Sequence, residues 1–211
     1  MRKSIALITA PTSEPVTLAE VKAWARIDST DEDALINSLI ISARQEVEKY
    51  LKRALITQTL ELTLDMIKSA ADNFIGDGTY DIAITELYSG LPREITLPYA
   101  PIQSITSVTT YDLSNTSAVY SSANYTLDIA GSRFVLNYGA IWTTNLRYSA
   151  SVKIRYLAGY GTAANVPQAI KIAIMSYVQD IYESRGVCDI KSDPIANMHE
   201  RLFSFRNMIR E

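Results

Sequence analysis

One cysteine and one histidine are all that this chain of 211 residues offers for disulfides, thiolate metal sites or imidazole catalysis. Cys188, alone, excludes an internal disulfide and fits a reducing compartment during synthesis. His199 has no cysteine or second histidine near it in sequence, so neither a zinc site nor a Ser-His-Asp triad has its parts, and a solvated helical histidine is the better reading. Basic charge is scarce as well. Twenty Lys and Arg against 23 Asp and Glu leave a formal charge of -3, which gives no strong field to hold nucleic-acid phosphates by counterion release. A tight DNA clamp is disfavoured; DNA passing by without being held is not. No apolar run approaches the roughly 20 residues of a membrane-spanning helix. The short run Ile5 to Ile8 behind Arg2 and Lys3 is too short for a secretion signal, and Pro11 and Glu14 follow it at once.

Other absences remove further chemistry. Gly159 and Gly161 precede a helix, as in a phosphate-binding loop, but no third glycine and no Gly-Lys-Ser accompany them, which leaves a strand-ending turn. Asp28, Asp31, Glu32 and Asp33 lack the Gly and Glu that a calcium loop needs and read as a helix start; Asp72, Asp77 and Asp81 keep a calcium role as a minor alternative. Thirteen tyrosines could stack on bases, yet without a basic groove they fit sheet faces and protein interfaces better. The reading is a protein that is not an enzyme, with no cofactor and no metal.

What is present is pattern. With 47% hydrophobic and 20% charged residues, the chain can fold as one large domain or two small ones. Val152 to Arg185 organises it. Val152, Ile154, Tyr156 and Ala158 fall on one face at period two, a half-buried strand. Pro167 then opens a helix in which Ile170, Ala173, Ile174, Tyr177, Val178 and Ile181 recur at helical spacing, stopped by Gly186. Upstream, Thr17 and Glu20 form a capping box for a short helix through Trp24 and Ala25. Thr30 with Asp31, Glu32 and Asp33 starts a longer one, to near Lys52, with Ile36, Leu39, Ile40, Ala43, Val47, Tyr50 and Leu51 as its stripe.

From Ile56 the period becomes two, with Leu60, Leu62 and Leu64 alternating with Thr59, Glu61 and Thr63, a strand with one polar face. Met66 to Arg93 gives mixed signals. Short strands follow at Glu94 to Leu97, Ile102 to Tyr111, Tyr125 to Ile129, Arg133 to Leu136 and Val152 to Leu157, with Pro98 and Pro101 at an edge or corner. This predicts an α+β fold: a discontinuous helical bundle with an inserted small antiparallel β-sandwich or barrel, plus a C-terminal amphipathic helix. The expected domains are a helical body in 1–55, the inserted β domain in 56–161, a second part of the helical body in 162–186, and a linker with a docking helix in 187–211. The last helix carries Ile195, Met198, Leu202, Phe205 and Ile209 on one face, fit either for a partner's groove or for folding back on its own chain.

Several strings, taken in order, resemble the head-tail connector (adaptor) proteins of tailed double-stranded-DNA phages and prophage-like elements. They are Glu14 to Lys22 (EPVTLAEVK), Asp31 to Ile36 (DEDALI), Arg53 to Thr59 (RALITQT), Leu97 to Ile105 (LPYAPIQSI), Val152 to Gly161 and Val166 to Ile174. The resemblance implies a non-enzymatic virion neck protein, assembled from host cytoplasm, that closes into a homo-oligomeric ring, with a dodecamer one candidate count. Its partners would be the portal protein and the next neck or tail-completion protein, with DNA only as passing cargo and no membrane. In that setting Ile36, Leu39, Ile40, Val47, Ile170, Ile174, Tyr177 and Ile181 form the core or subunit-packing helix face, and Ile195, Met198, Leu202, Phe205 and Ile209 the portal-docking face. The alternative is a ligand-binding module whose β domain presents tyrosines and Trp142 to a sugar or peptide.

Overall fold

The computed structural model describes residues 2–66, 91–185 and 193–207. It is α+β, with helices and antiparallel sheets in two compact units. One unit takes Pro11–Gln58, Pro98–Pro101 and Ala158–Glu211; the other takes Met1–Ala10, Thr59–Leu97 and Ile102–Leu157.

The first unit holds the helices, numbered here α1 Leu18–Ala25, α2 Asp33–Leu51, α3 Gln168–Glu183 and α4 Pro194–Asn207. The Thr17 capping box forms as its residues dictate: Glu20 N–H donates to Thr17 Oγ1 at 3.2 Å and Thr17 N–H to Glu20 Oε2 at 2.6 Å. Start signals are less exact for α2, whose N-cap is Glu32 with no side-chain cap bond. Its carboxylate is taken by Tyr182 and Arg185 instead. The stripes of α2 and α3 meet in one core, in which Ile36, Val47, Ile170 and Ile174 are fully buried. Burying such a side chain contributes about 1.5–3 kcal/mol, so these two distant helices supply much of the unit's core.

Where β8 (Val152–Ala158) ends, Gly159 and Gly161 make the turn read from the sequence. Gly159 sits at φ +126°, and a Cβ there would lie 2.4 Å from the Ile56 carbonyl oxygen, so only glycine lets these backbones close up. Around it Thr57 N–H donates to Gly161 O, Tyr160 N–H to Leu55 O and Gly159 N–H to Pro101 O. Pro98–Pro101 is thus the corner its prolines imply, a short stretch that belongs with the helices.

The second unit holds a five-stranded sheet in the order β1-β2-β8-β4-β5 and a three-stranded one in the order β3-β7-β6. Their strands are β1 Lys3–Thr9, β2 Gln58–Leu64, β3 Glu94–Thr96, β4 Ile102–Tyr111, β5 Ser117–Val119, β6 Tyr125–Asp128 and β7 Arg133–Leu136. Neither sheet closes into a barrel among the described residues. Lys3–Thr9, placed with the helical body from its sequence, is a strand: Ile5 pairs opposite Leu62 and Leu7 opposite Leu60. β5 carries no apolar alternation and was not foreseen. The polar face expected for β2 exists, but Glu61 on it is only 7% exposed because Lys153 and Arg155 of β8 close over its carboxylate at 3.0 and 2.8 Å. Of the Met66 to Arg93 stretch, 67–90 lies outside the described residues, as does the calcium alternative at Asp72, Asp77 and Asp81.

Candidate functional site

Several charged groups among the described residues hold the structure together. In the helical unit Arg44 Nη1 meets Glu48 Oε2 and its Nε meets Glu14 Oε2, both at 2.8 Å. Glu48 Oε1 also accepts the Leu55 N–H at 2.9 Å, which ties the end of α2 to the chain leaving it. Burial pushes the Glu48 carboxyl above its usual range, against the Leu55 N–H and Arg44, which pull it down. The acidic cluster before α2 is divided among partners: Asp33 to Lys22 at 2.8 Å, Glu32 to Arg185 at 2.8 Å, and Asp31 to the Ser29 hydroxyl at 2.9 Å. Hydrogen bonds from Arg185 and Tyr182 hold the Glu32 carboxyl down at about 2. No group of three or more His, Cys, Asp and Glu able to hold a metal occurs among the described residues.

His199 lies on a helix as its sequence context implied, and its side chain is partly covered, at 31% exposure. Its ring stacks on Tyr50 with centroids 3.9 Å apart, and Glu46 Oε1 lies 3.8 Å from its Nε2. Trp142, expected on a ligand-binding surface, donates its indole N–H to Pro92 O at 3.0 Å and packs on Phe134 and Tyr120 at 5.4 and 5.1 Å. A cavity of about 510 Å³ flanks it, lined by Leu91, Arg93, Leu136, Ile141 and Leu146 among others. Arg93 spends its guanidinium on the carbonyls of Asn137 and Ala140. The aromatic cluster is a packing core for this unit.

The helix face singled out from the sequence is brought together inside one chain. Ile36, Ile40, Val47, Ile170, Ile174 and Tyr177 are buried, with Leu39 and Ile181 partly buried beside them. It therefore has little left to offer a neighbouring subunit. The tail face divides: Met198 and Leu202 are buried in the same core at 1% and 0% exposure, Phe205 is partly buried, and Ile195 is exposed. Ile209 lies outside the described residues. Folding back prevails because the α2 and α3 stripes leave an apolar surface that Met198 and Leu202 complete.

Bare surface lies elsewhere. Every residue of β1 and β5 is exposed, as are Trp24, Ile41, Leu113, Ile129, Tyr138 and Phe203. Sequence reasoning passed over both border strands. In Lys3–Thr9 the run of four apolar residues, Ile5 to Ile8, which puts apolar side chains on both faces, was the available signal.

These features define a class: an α+β protein in which an Arg44–Glu48 pair and an aromatic cluster around Trp142 serve internal structure, with apolar residues bare at its sheet borders and outer surfaces. Within that class the sequence matches the family described as phage gp6-like head-tail connector protein over residues 15–123, a little over half of the chain. The chain belongs to that family. Its fold is similar to a chain in the neck of an empty GTA particle computed with C6 symmetry, with a TM-score of 0.70 and 18% identity over 96% of this chain and 95% of that one. A chain in the virion of the native gene transfer agent (GTA) particle gives 0.67 and 19% over 93% of each. One in the neck of the native GTA particle computed with C12 symmetry gives 0.60 and 16% over 94% of each. No protein of curated function matches the sequence.

Proposed function

We propose that this protein is a structural connector in the neck of a tailed phage or phage-like particle. Copies close into a ring that joins the portal to the next neck or tail-completion protein and leaves a channel through which DNA passes. The observation that carries the reading is the family match, and the fold likeness along nearly the whole chain to neck proteins from particles treated with C6 and C12 symmetry supports it. A ring uses heterologous contacts, in which one surface of a subunit meets a different surface of the next. The net charge of -3 suits passage, since carboxylates facing a channel repel phosphates and do not detain them. Portal docking falls to the outer side of α4, where Ile195 and Phe203 are 40% and 58% exposed, and not to Met198 and Leu202.

The experiment is co-purification with the portal of the same particle, followed by negative-stain imaging. A ring stacked coaxially on the portal is the expected result. A monomer that ignores the portal and binds a sugar or peptide saturably would replace this reading with the ligand-binding one.

A further inference from the structure

The first border strand of the five-stranded sheet is bare where its neighbour is covered. All seven residues of β1 are exposed, with Ile5, Leu7 and Ile8 at 43%, 54% and 44%, while β2 beside it is buried or half-buried throughout. Ile5 and Leu7 lie opposite Leu62 and Leu60, so the apolar face of the core runs on past the covered strands to an open border. Border strands ordinarily escape edge-to-edge association through shortness, prolines, charges or bulges; Ser4 to Leu7 carries no proline and no charge, and the charge of Lys3 and the register shift between Leu7 and Thr9 lie at the two ends of the strand. At the opposite border β5 is equally bare, with Val119 at 78% and Leu113 in the preceding turn at 63%. Among the described residues β1 has β2 as its one neighbour and β5 has β4.

We propose that β1 of one copy adds to β5 of the next, so that the five-stranded sheets of adjacent copies continue as one around the ring. This rests on the ring reading and names the contact that builds it. Two different borders of one chain meeting each other is what a heterologous contact requires.

The direction of the junction follows from the sheet. β1 with β2 and β4 with β5 are antiparallel by register. For β2 with β8, Thr57 bonds Gly161 while Ser151 bonds Leu64; for β8 with β4, Gly159 bonds Pro101 while Tyr111 bonds Ser151, so both are antiparallel too. Four reversals leave β1 and β5 running the same way. In a ring of six to twelve copies, neighbours differ by a rotation of only about 30–60°, which keeps strand directions, so the junction is parallel.

A parallel junction sets the start of β1, with Arg2 and Lys3, beside the start of β5. There the Asp112 carboxylate anchors the turn by accepting the Ser114 and Thr116 N–H groups, each at 2.8 Å. Cation and anion are complementary across the border. The faces match as well. Ala6 opposes Glu61, Glu61 pairs with Lys153, Lys153 lies over Tyr111, and Tyr111 shares a face with Thr109, which opposes Val119. Ala6 and Val119 therefore share one side of the sheet and become neighbours at the junction.

Native mass spectrometry of the full chain, alone and with its portal, tests this with Leu7→Lys and Val119→Lys. Both positions are exposed, so circular dichroism stays as in the unaltered chain while rings fall to monomers and short arcs; Ile129→Lys, at a residue 60% exposed outside both borders, keeps the ring. In a Cys188→Ser background, Ala6→Cys combined with Val119→Cys gives a ladder of covalent multimers on oxidation, and neither cysteine alone does. If either lysine variant forms rings as well as the unaltered chain, or Ala6→Cys alone yields dimers, or the double-cysteine ladder is absent from intact rings, the β1–β5 junction is wrong while the ring stands. If the unaltered chain forms no ring even with the portal, the ring reading and the junction fall together.

Discussion

Tyr50 of α2 and His199 of α4 stack ring on ring, with centroids 3.9 Å apart and planes 10° from parallel. Arg206 reaches the same tyrosine, its guanidinium carbon 5.1 Å from the ring centroid. With Met198 next to His199 in the chain and Leu202 one turn further on, both buried, α4 is part of the helical unit and not a separate arm.

Removal of the tail therefore acts on stability. Leu202→Ala should cost about 2–5 kcal/mol, the range for emptying a well-packed aliphatic site, read as a lowered urea midpoint. Stopping the chain after Arg185 should lower the thermal midpoint further. A truncated chain as stable as the whole one would show that α4 does not pack as described.

The buried Glu48 carboxylate serves Arg44 and the Leu55 N–H at once. Glu48→Ala should destabilise by about 1–3 kcal/mol for the stranded N–H alone, with a further loss from the weakened Arg44 pairing. Glu48→Gln keeps an acceptor and should cost less. Equal losses for the two variants, measured by chemical denaturation, would remove the Leu55 hydrogen bond from the account.

Glu32 sets an acid limit. Its carboxyl is held at about 2 in the fold against an ordinary 4.5, so its contribution is present above pH 4.5 and is lost as pH falls through about 2. The thermal midpoint of Glu32→Gln should fall less steeply than that of the unaltered chain across that window. Parallel curves would mean that the Arg185 and Tyr182 bonds do not persist in solution.

Gly159→Ala places a methyl group 2.4 Å from the Ile56 carbonyl oxygen at φ +126°. The strained backbone and the clash together should cost about 1–3 kcal/mol or more. An unchanged midpoint would show that the turn rearranges freely.

Most of the helical unit was legible because its signals are local: a Thr-x-x-Glu cap, stripes at helical spacing and a two-glycine turn. The strands β4 and β7 were read to the residue for the same reason, since proline, glycine and polar clusters bracket their alternation. What was not legible depends on partners distant in the chain. Nothing near Lys3–Thr9 tells that β2 will receive it, and nothing near Glu61 tells that Lys153 and Arg155 will cover it. The tail posed the same problem in reverse: its apolar stripe is equally suited to a foreign groove or to its own core, and only the space left by α2 and α3 decides. The border strands gave no such signal: Ile5 to Ile8 reads only as a short apolar run, and Ser117–Val119 has no alternation at all.

A closed ring joining other neck components has a mass that shows it, and the native mass of the complex formed with the portal reads it without further assumption. A single species holding a fixed, integral number of copies, visible as a ring in projection, is the predicted result. Only monomers beside an unaltered portal, at every concentration tried, would contradict it.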